Sequence, residues 1–151
     1  MATAPMRTPT HLWIVGILSL LWNCFGGYDY LMTKMRNMDY LAGMTPPGVD
    51  VNTLLAYVDG MPLYAQFGWG LGVWSALIGS VLLLMRNRYA VWAFILSLVG
   101  MALSFGYMFI GPPMPGSEEA GMMKYMPLLI VILGLAQFAY ARAVERKGLL
   151  H

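Results

Sequence analysis

Long apolar runs alternate with shorter polar segments along the whole of this chain. From Leu12 to Met32 the only acidic or basic residue is Asp29. None occurs from Leu63 to Met85, from Tyr89 to Ile110 or from Tyr125 to Ala141. Apolar stretches of about 18 residues or more mark bilayer-spanning helices. The pattern predicts four, over residues 12–32, 63–85, 89–110 and 125–143. At about 1.5 Å per residue each reaches roughly 28–35 Å, enough to cross a hydrocarbon core of about 30 Å. Only Arg86-Asn87-Arg88 separates the second span from the third, so these two are expected to be antiparallel neighbours.

Inside each span, small and polar residues recur three and four positions apart. The first carries Gly16, Ser19, Asn23, Gly26 and Tyr30, and the second Gly68, Gly72, Ser75 and Gly79. The third carries Ala93, Ser97, Gly100, Ser104 and Tyr107, and the fourth Pro127, Ile130, Gly134, Gln137 and Ala141. Small residues at seam spacing let helix backbones approach closely in lipid, where no hydrophobic drive joins helices. The expected fold is therefore all-α, an integral membrane four-helix bundle of antiparallel up-down design. Asn23, Ser75, Ser97 and Gln137 lie about 10–17 Å along their helices from the same end and are expected to share a polar layer. Asp29, Tyr30, Tyr64, Gln66 and Tyr107 form a second candidate cluster near the outer interface. Gly68, Gly72, Ser75 and Gly79 form a candidate helix-packing groove, which suggests that the second helix packs against another copy.

Two longer segments lie between spans, 33–62 and 111–124. Thr45-Pro46-Pro47 reads as a helix start, with Thr45 as the cap and Val49, Val51, Leu54, Leu55 and Val58 as an apolar face. Gly111-Pro112-Pro113-Met114-Pro115-Gly116 must turn.

Composition narrows the picture to one membrane domain over residues 1–151. The chain is 59% hydrophobic and 11% charged, against about 25% charged in soluble domains. The first run is too long for the apolar region of a cleaved signal peptide and reads as a retained helix. Lys and Arg orient the spans. Arg7, Arg86, Arg88, Arg142, Arg146 and Lys147 fall on one side, while Lys34, Arg36 and Lys124 fall on the other with Asp39, Asp50, Asp59, Glu118 and Glu119. That bias predicts cytoplasmic termini. A net charge of +2 gives no reason to expect nucleic acid.

Candidate chemistry is sparse. His11 and His151 offer no ligand pair at metal spacing, and there is no nucleophile–base set or phosphate-binding glycine loop. Fourteen methionines stand without a neighbouring His or Cys that would favour copper. Cys24 reads as a buried structural thiol. No catalytic residue, metal site or cofactor is expected. Asn23 and Gln137 read as interhelical glue, with a polar lining for a solute or quinone head group as the functional alternative. Asp29 reads as a carboxylate at the membrane edge, with proton carriage as its alternative.

Leu21-Trp22-Asn23, Gly27, Asp29-Tyr30, Met32-Thr33, Arg36-Asn37 and Tyr40-Leu41 resemble the first third of a family of small four-helix bacterial inner-membrane proteins. Further matching positions are Gly72-Val73-Trp74, Gly79, Arg86 to Val91, Ser97 to Gly100, Ser104-Phe105 and Arg142 to Gly148. The likeness departs in residues 45–60 and 111–121. Members are mostly uncharacterised, and some carry a loose sugar-transporter label. The resemblance implies a bacterial inner membrane and supplies no mechanism. Taken together, the residues favour a non-enzymatic structural or accessory component that self-associates or joins a larger membrane complex. A small-solute transporter working as an oligomer is the second expectation, and a quinone- or lipid-binding subunit of a membrane enzyme the third.

Overall fold

The structure, a computed structural model, describes residues 7–118 and 121–151. Glu119, counted above with the outer acidic residues, lies outside them. The elements in order are α1 (Thr10–Lys34), α2 (Met38–Met44), α3 (Val51–Asp59), α4 (Leu63–Leu84), α5 (Tyr89–Ile110) and α6 (Met126–Arg146). A 3₁₀ turn, Gly121–Tyr125, leads into α6. No strand occurs among the described residues. Four helices, α1, α4, α5 and α6 with its preceding turn, are long and apolar enough to cross a membrane. α1 extends two residues beyond the expected span at each end, and α6 runs three further, to Arg146. The added residues include Lys34, Glu145 and Arg146, charged side chains suited to the polar zone that flanks a bilayer.

α4 is the central helix, and it is central because it carries two buried stripes. One holds Gly68, Gly72, Ser75 and Gly79 and meets α5. The other holds Ala76, Ser80 and Leu83 and turns toward α1. α6 packs on α5, where Gly134 faces Met101 and Leu98, and reaches α1 through Gln137 and Tyr140. Its buried positions are Gly134, Gln137, Ala141 and Val144. The expected seam positions Pro127 and Ile130 are only partly covered, because the first two turns of α6 stand away from the other helices. In α1 the expected Gly16 is buried, but the second buried glycine is Gly27, one position past the expected Gly26. Cys24 is exposed on the outside of α1, contrary to the expected buried thiol.

The tripeptide Met-Arg-Asn closes a helix twice, at Met35–Asn37 and Met85–Asn87. Each time the arginine adopts a left-handed backbone, φ 54° at Arg36 and 60° at Arg86. The amides of the arginine and the asparagine then turn back to carbonyls of the last turn, Thr33 and Met32 in one case, Leu83 and Leu82 in the other. The asparagine side chain starts the next helix by accepting from Tyr40 N and Tyr89 N, both at 2.9 Å. A helix stop and a helix start thus fit in three residues.

Gly148, at φ 70°, ends α6 through the same pair of amide bonds. The chain then folds back. Leu149 and Leu150 are 7% and 6% exposed and join Leu12, Leu83, Val91, Phe94 and Val144 in the main apolar core. His151 N donates to Arg86 O at 2.8 Å, and Arg88 N to His151 O at 3.3 Å. The Arg86 guanidinium donates to Leu149 O and to Thr8 Oγ1. One side chain therefore ties the α4–α5 turn to both chain ends.

At the opposite end the two long loops meet. Leu41, Leu54 and Leu55 form a small second core, against which Met114 packs, and a Cβ on Gly116 would strike Val49 and Pro46. The third helix begins later than expected. Asp50 caps it by accepting from Asn52 N at 2.6 Å, whereas Thr45 terminates α2, its hydroxyl donating to Leu41 O. Proline at 46 and 47 disfavours helical backbone just before each ring, so Thr45 ends one helix rather than opening the next.

Candidate functional site

The polar residues inside the bundle are placed by the small ones. A Cβ on Gly100 would lie 2.6 Å from Gly68 O and 2.6 Å from Gly72 Cα, so α4 and α5 touch backbone to backbone. At that separation Ser97 Oγ reaches Gly72 O at 2.9 Å. The candidate groove Gly68, Gly72, Ser75 and Gly79 is thereby filled from within. Gly100, Leu103 and Ser104 lie against Gly68, Ser97, Gly100 and Met101 against Gly72, and the Phe94 ring against Gly79. The expected packing of this groove on another copy is therefore corrected. Its partner is the next helix of the same chain, delivered by a three-residue turn.

On the other stripe of α4, the Asn23 amide nitrogen lies 2.7 Å from Ser80 Oγ, 3.1 Å from Ala76 O and 3.2 Å from Gln137 Oε1. Ser80 Oγ donates in turn to Ala76 O at 3.0 Å. Two amide protons shared among three acceptors engage the donor side of Asn23 fully. The expected layer of Asn23, Ser75, Ser97 and Gln137 is thus redrawn. Asn23 and Gln137 meet, Ser80 joins them, and Ser97 bonds separately to α4. Ser75 is buried among the α5-facing positions and belongs to the packing seam instead. Ser80 is 0% exposed and was legible only by counting a second face on α4.

Interhelical bonds of this kind contribute about 0.6–2 kcal/mol each in membranes. Asn23→Leu and Gln137→Leu are accordingly expected to lower thermal stability by about 2 kcal/mol or less, measured by melting in detergent. Complementation of any deletion phenotype should persist. A variant that stays folded at normal abundance yet fails to complement would favour a solute site.

The outer cluster separates into three groups. Asp29 accepts from Tyr40 Oη at 2.8 Å, and the Tyr40 ring stands edge-on to Tyr28, which docks α2 against α1. Burial, and then the bond to the Asp29 carboxylate, push the Tyr40 phenol far above its ordinary value. Tyr30 stacks edge-to-face on Trp69 and Trp74, and Lys34 Nζ lies 5.5 Å from the Trp69 ring while donating to Gln66 Oε1 at 3.0 Å. Tyr64 and Tyr107 meet edge-on, with Tyr57 of α3 tilted against Tyr107. The Tyr57 hydroxyl is buried without a hydrogen-bond partner among the described residues, and burial followed by the nearby Tyr107 raises its pKa.

Near the chain ends His11 Nδ1 and Tyr140 Oη are hydrogen-bonded at 2.6 Å, joining α1 to α6. No group of three or more His, Cys, Asp or Glu able to hold a metal occurs among the described residues. Comparison with protein-family models, with characterised proteins and with solved structures gave no match.

Proposed function

We propose that the chain is a four-pass protein of a bacterial inner membrane, serving as a non-enzymatic structural or accessory component of a larger membrane assembly. The observation that carries this reading is the engagement of Asn23, Ser80 and Gln137 with one another and of Ser97 with the α4 backbone. Asn23 spends its donors on Ser80, Ala76 and Gln137, and Ser97 spends its hydroxyl on Gly72 O. Polar side chains used in this way hold helices together rather than present themselves to a substrate.

The proposed topology is up and down with both termini cytoplasmic. Its supports are the contact register and the charge bias. Leu12 shares a core with Leu83, Asn23 lies against Ala76 and Lys34 reaches Gln66, so α1 and α4 run oppositely. Gly68 opposite Ser104 and Gly79 opposite Phe94 set α5 against α4 in the same sense. The bacterial inner membrane rests on the family resemblance of the sequence. Reporter fusions after Arg88 and after His151 should both read as cytoplasmic, and one at Gly116 as external. A cytoplasmic signal from Gly116 would reverse the side given to every loop.

Because α5 fills the α4 groove, assembly must use other faces. Mild-detergent purification from the native host, followed by quantitative mass spectrometry, should recover the chain with a reproducible set of membrane proteins. Recovery alone would sink the accessory role.

A further inference from the structure

Asn23 and Gln137 are 8% and 9% exposed, and each uses only half of its side-chain amide. Ala76 O can only accept, so Asn23 turns its amide nitrogen toward α4. That nitrogen can only donate, so Gln137 turns Oε1 toward it. Asn23 Oδ1 and Gln137 Nε2 are left over, an acceptor on α1 and a donor on α6. Neither has a hydrogen-bond partner among the described residues. Tyr57 Oη is the one unpartnered side-chain nitrogen or oxygen that these residues close off completely, so both leftover atoms reach open space. Gly27 supplies that space. It stands one turn beyond Asn23 on the same buried face of α1. A side chain there would lean back over Asn23, because Cα–Cβ bonds tilt toward the helix N-terminus, yet no atom lies within 4 Å of where its Cβ would be. We propose that Asn23 Oδ1 and Gln137 Nε2 together bind one hydroxyl group in the middle of the bilayer, where it ties α1 to α6.

Access comes from the way the two helices diverge. At the end that bears the chain termini, Leu12 shares a core with Ala141 and Val144. Beyond Gln137 the first two turns of α6 stand away, leaving Pro127 and Ile130 only partly covered. The free amide atoms thus lie at the apex of a wedge. Valence selects what enters it. The group must donate to Oδ1 and accept from Nε2. Ester, ketone and phosphate oxygens only accept, and an ammonium only donates. A hydroxyl does both through one atom and stays uncharged, as a hydrocarbon interior requires. Asn23 lies about 20 Å along α1 from Thr10 and about 17 Å from Lys34, midway between the membrane faces. Phospholipid head groups stay at those faces, so the hydroxyl belongs to water or to a long-chain membrane alcohol. Left unmet in hydrocarbon, each amide atom would carry the cost of a polar group taken from water, and one bound hydroxyl removes both costs.

The inference rests on the bilayer residence proposed above, and the outcomes separate the two. Protein released from native membranes by alkaline carbonate would overturn both. For the site itself, the full chain is isotope-labelled at its glutamine side chains and placed in bilayer nanodiscs of chain-deuterated phospholipid. Gln66 and Gln137 are the only glutamines of the chain, so the Gln137 amide signal is the one lost in Gln137→Leu. If water is the ligand, the Gln137 amide protons should show a nuclear Overhauser cross-peak to water. If a membrane alcohol is the ligand, organic extraction of protein purified from native membranes should yield it in near equimolar amount, and adding it to the nanodiscs should move the cross-peak onto its protons. Gly27→Leu leaves both amides and their mutual bond in place while filling the space over Asn23, and it should abolish the cross-peak or the bound alcohol. Ala139→Leu, which adds bulk on an exposed face of α6, should leave either unchanged. Should Gly27→Leu fail to fold, Gly27→Val fills the same space with less bulk and carries the same expectation. A wild-type protein with neither cross-peak nor alcohol, or persistence of either in a folded Gly27 variant, would overturn the proposal while leaving bilayer residence intact.

Discussion

Gly100→Leu should prevent α4 and α5 from docking, and even Gly100→Ala should cost about 3 kcal/mol, the upper range for overpacking a close-packed interior. The added Cβ would meet Gly72 N, Gly68 O and Gly72 Cα, all of them backbone. Side chains rotate away from an intruder, but two helices joined by a three-residue turn separate only by breaking the Ser97–Gly72 bond and the Phe94–Gly79 contact with it. Gly106→Ala and Gly27→Ala supply the contrast. Neither Cβ would have a neighbour within 4 Å, so the gain in helix propensity, about 0.8–1 kcal/mol, should leave both neutral or slightly more stable. Thermal unfolding in detergent, followed by tryptophan fluorescence, ranks the variants. If Gly100→Ala melted with Gly106→Ala, the backbone contact between α4 and α5 would be wrong.

Deleting residues 149–151 should also be damaging, lowering stability by about 4 kcal/mol. Each of Leu149 and Leu150 buries almost all of its side chain, and a fully buried leucine contributes about 1.5–3 kcal/mol where water is the alternative, as it is at this end of the bundle. The deletion also removes the partners of Arg86 O, Arg88 N and the Arg86 guanidinium. Arg86 would keep its left-handed backbone, which costs roughly 1–2 kcal/mol outside glycine, with only Thr8 still bonded to its side chain. Leu149→Ala/Leu150→Ala in the full-length chain separates the apolar part from the polar part. An unchanged melting temperature after deletion would mean that the tail does not occupy the core.

The four long apolar helices were legible because crossing a bilayer demands a set length and a near absence of charge. The packing stripes were legible because close helix approach demands small residues every three or four positions, and Gly16, Ser19, Asn23, Gly72, Ser97, Gly134 and Gln137 are all buried. Such a stripe says that something comes near and does not say what. That is why the α4 groove read as a surface for another copy. Assigning one stripe to each helix also hid Ser80, since a central helix needs two. The folded-back tail had a signal in Gly148 followed by Leu149 and Leu150, a left-handed stop with an apolar residue just beyond it. The loops at the α2–α3 end were least legible. There Pro46 and Pro47 fit a helix start or a helix end equally well, and only the position of the Asp50 cap decides between them.

The two Met-Arg-Asn turns give this molecule a timetable. Each is complete within its own few residues and needs nothing distant to set the chain direction. The α4–α5 pair can therefore close as a hairpin as soon as α5 has left the ribosome, while α6 is still being made, in keeping with the speed of local contacts. The guanidinium of Arg86 must then wait, because Leu149 O is supplied only after α6 is finished. The same residue that turns the chain early locks it late. During that interval the recess destined for Leu149 and Leu150 stands open beside Leu83 and Val91, and in those moments a chaperone or protease would find the chain most vulnerable.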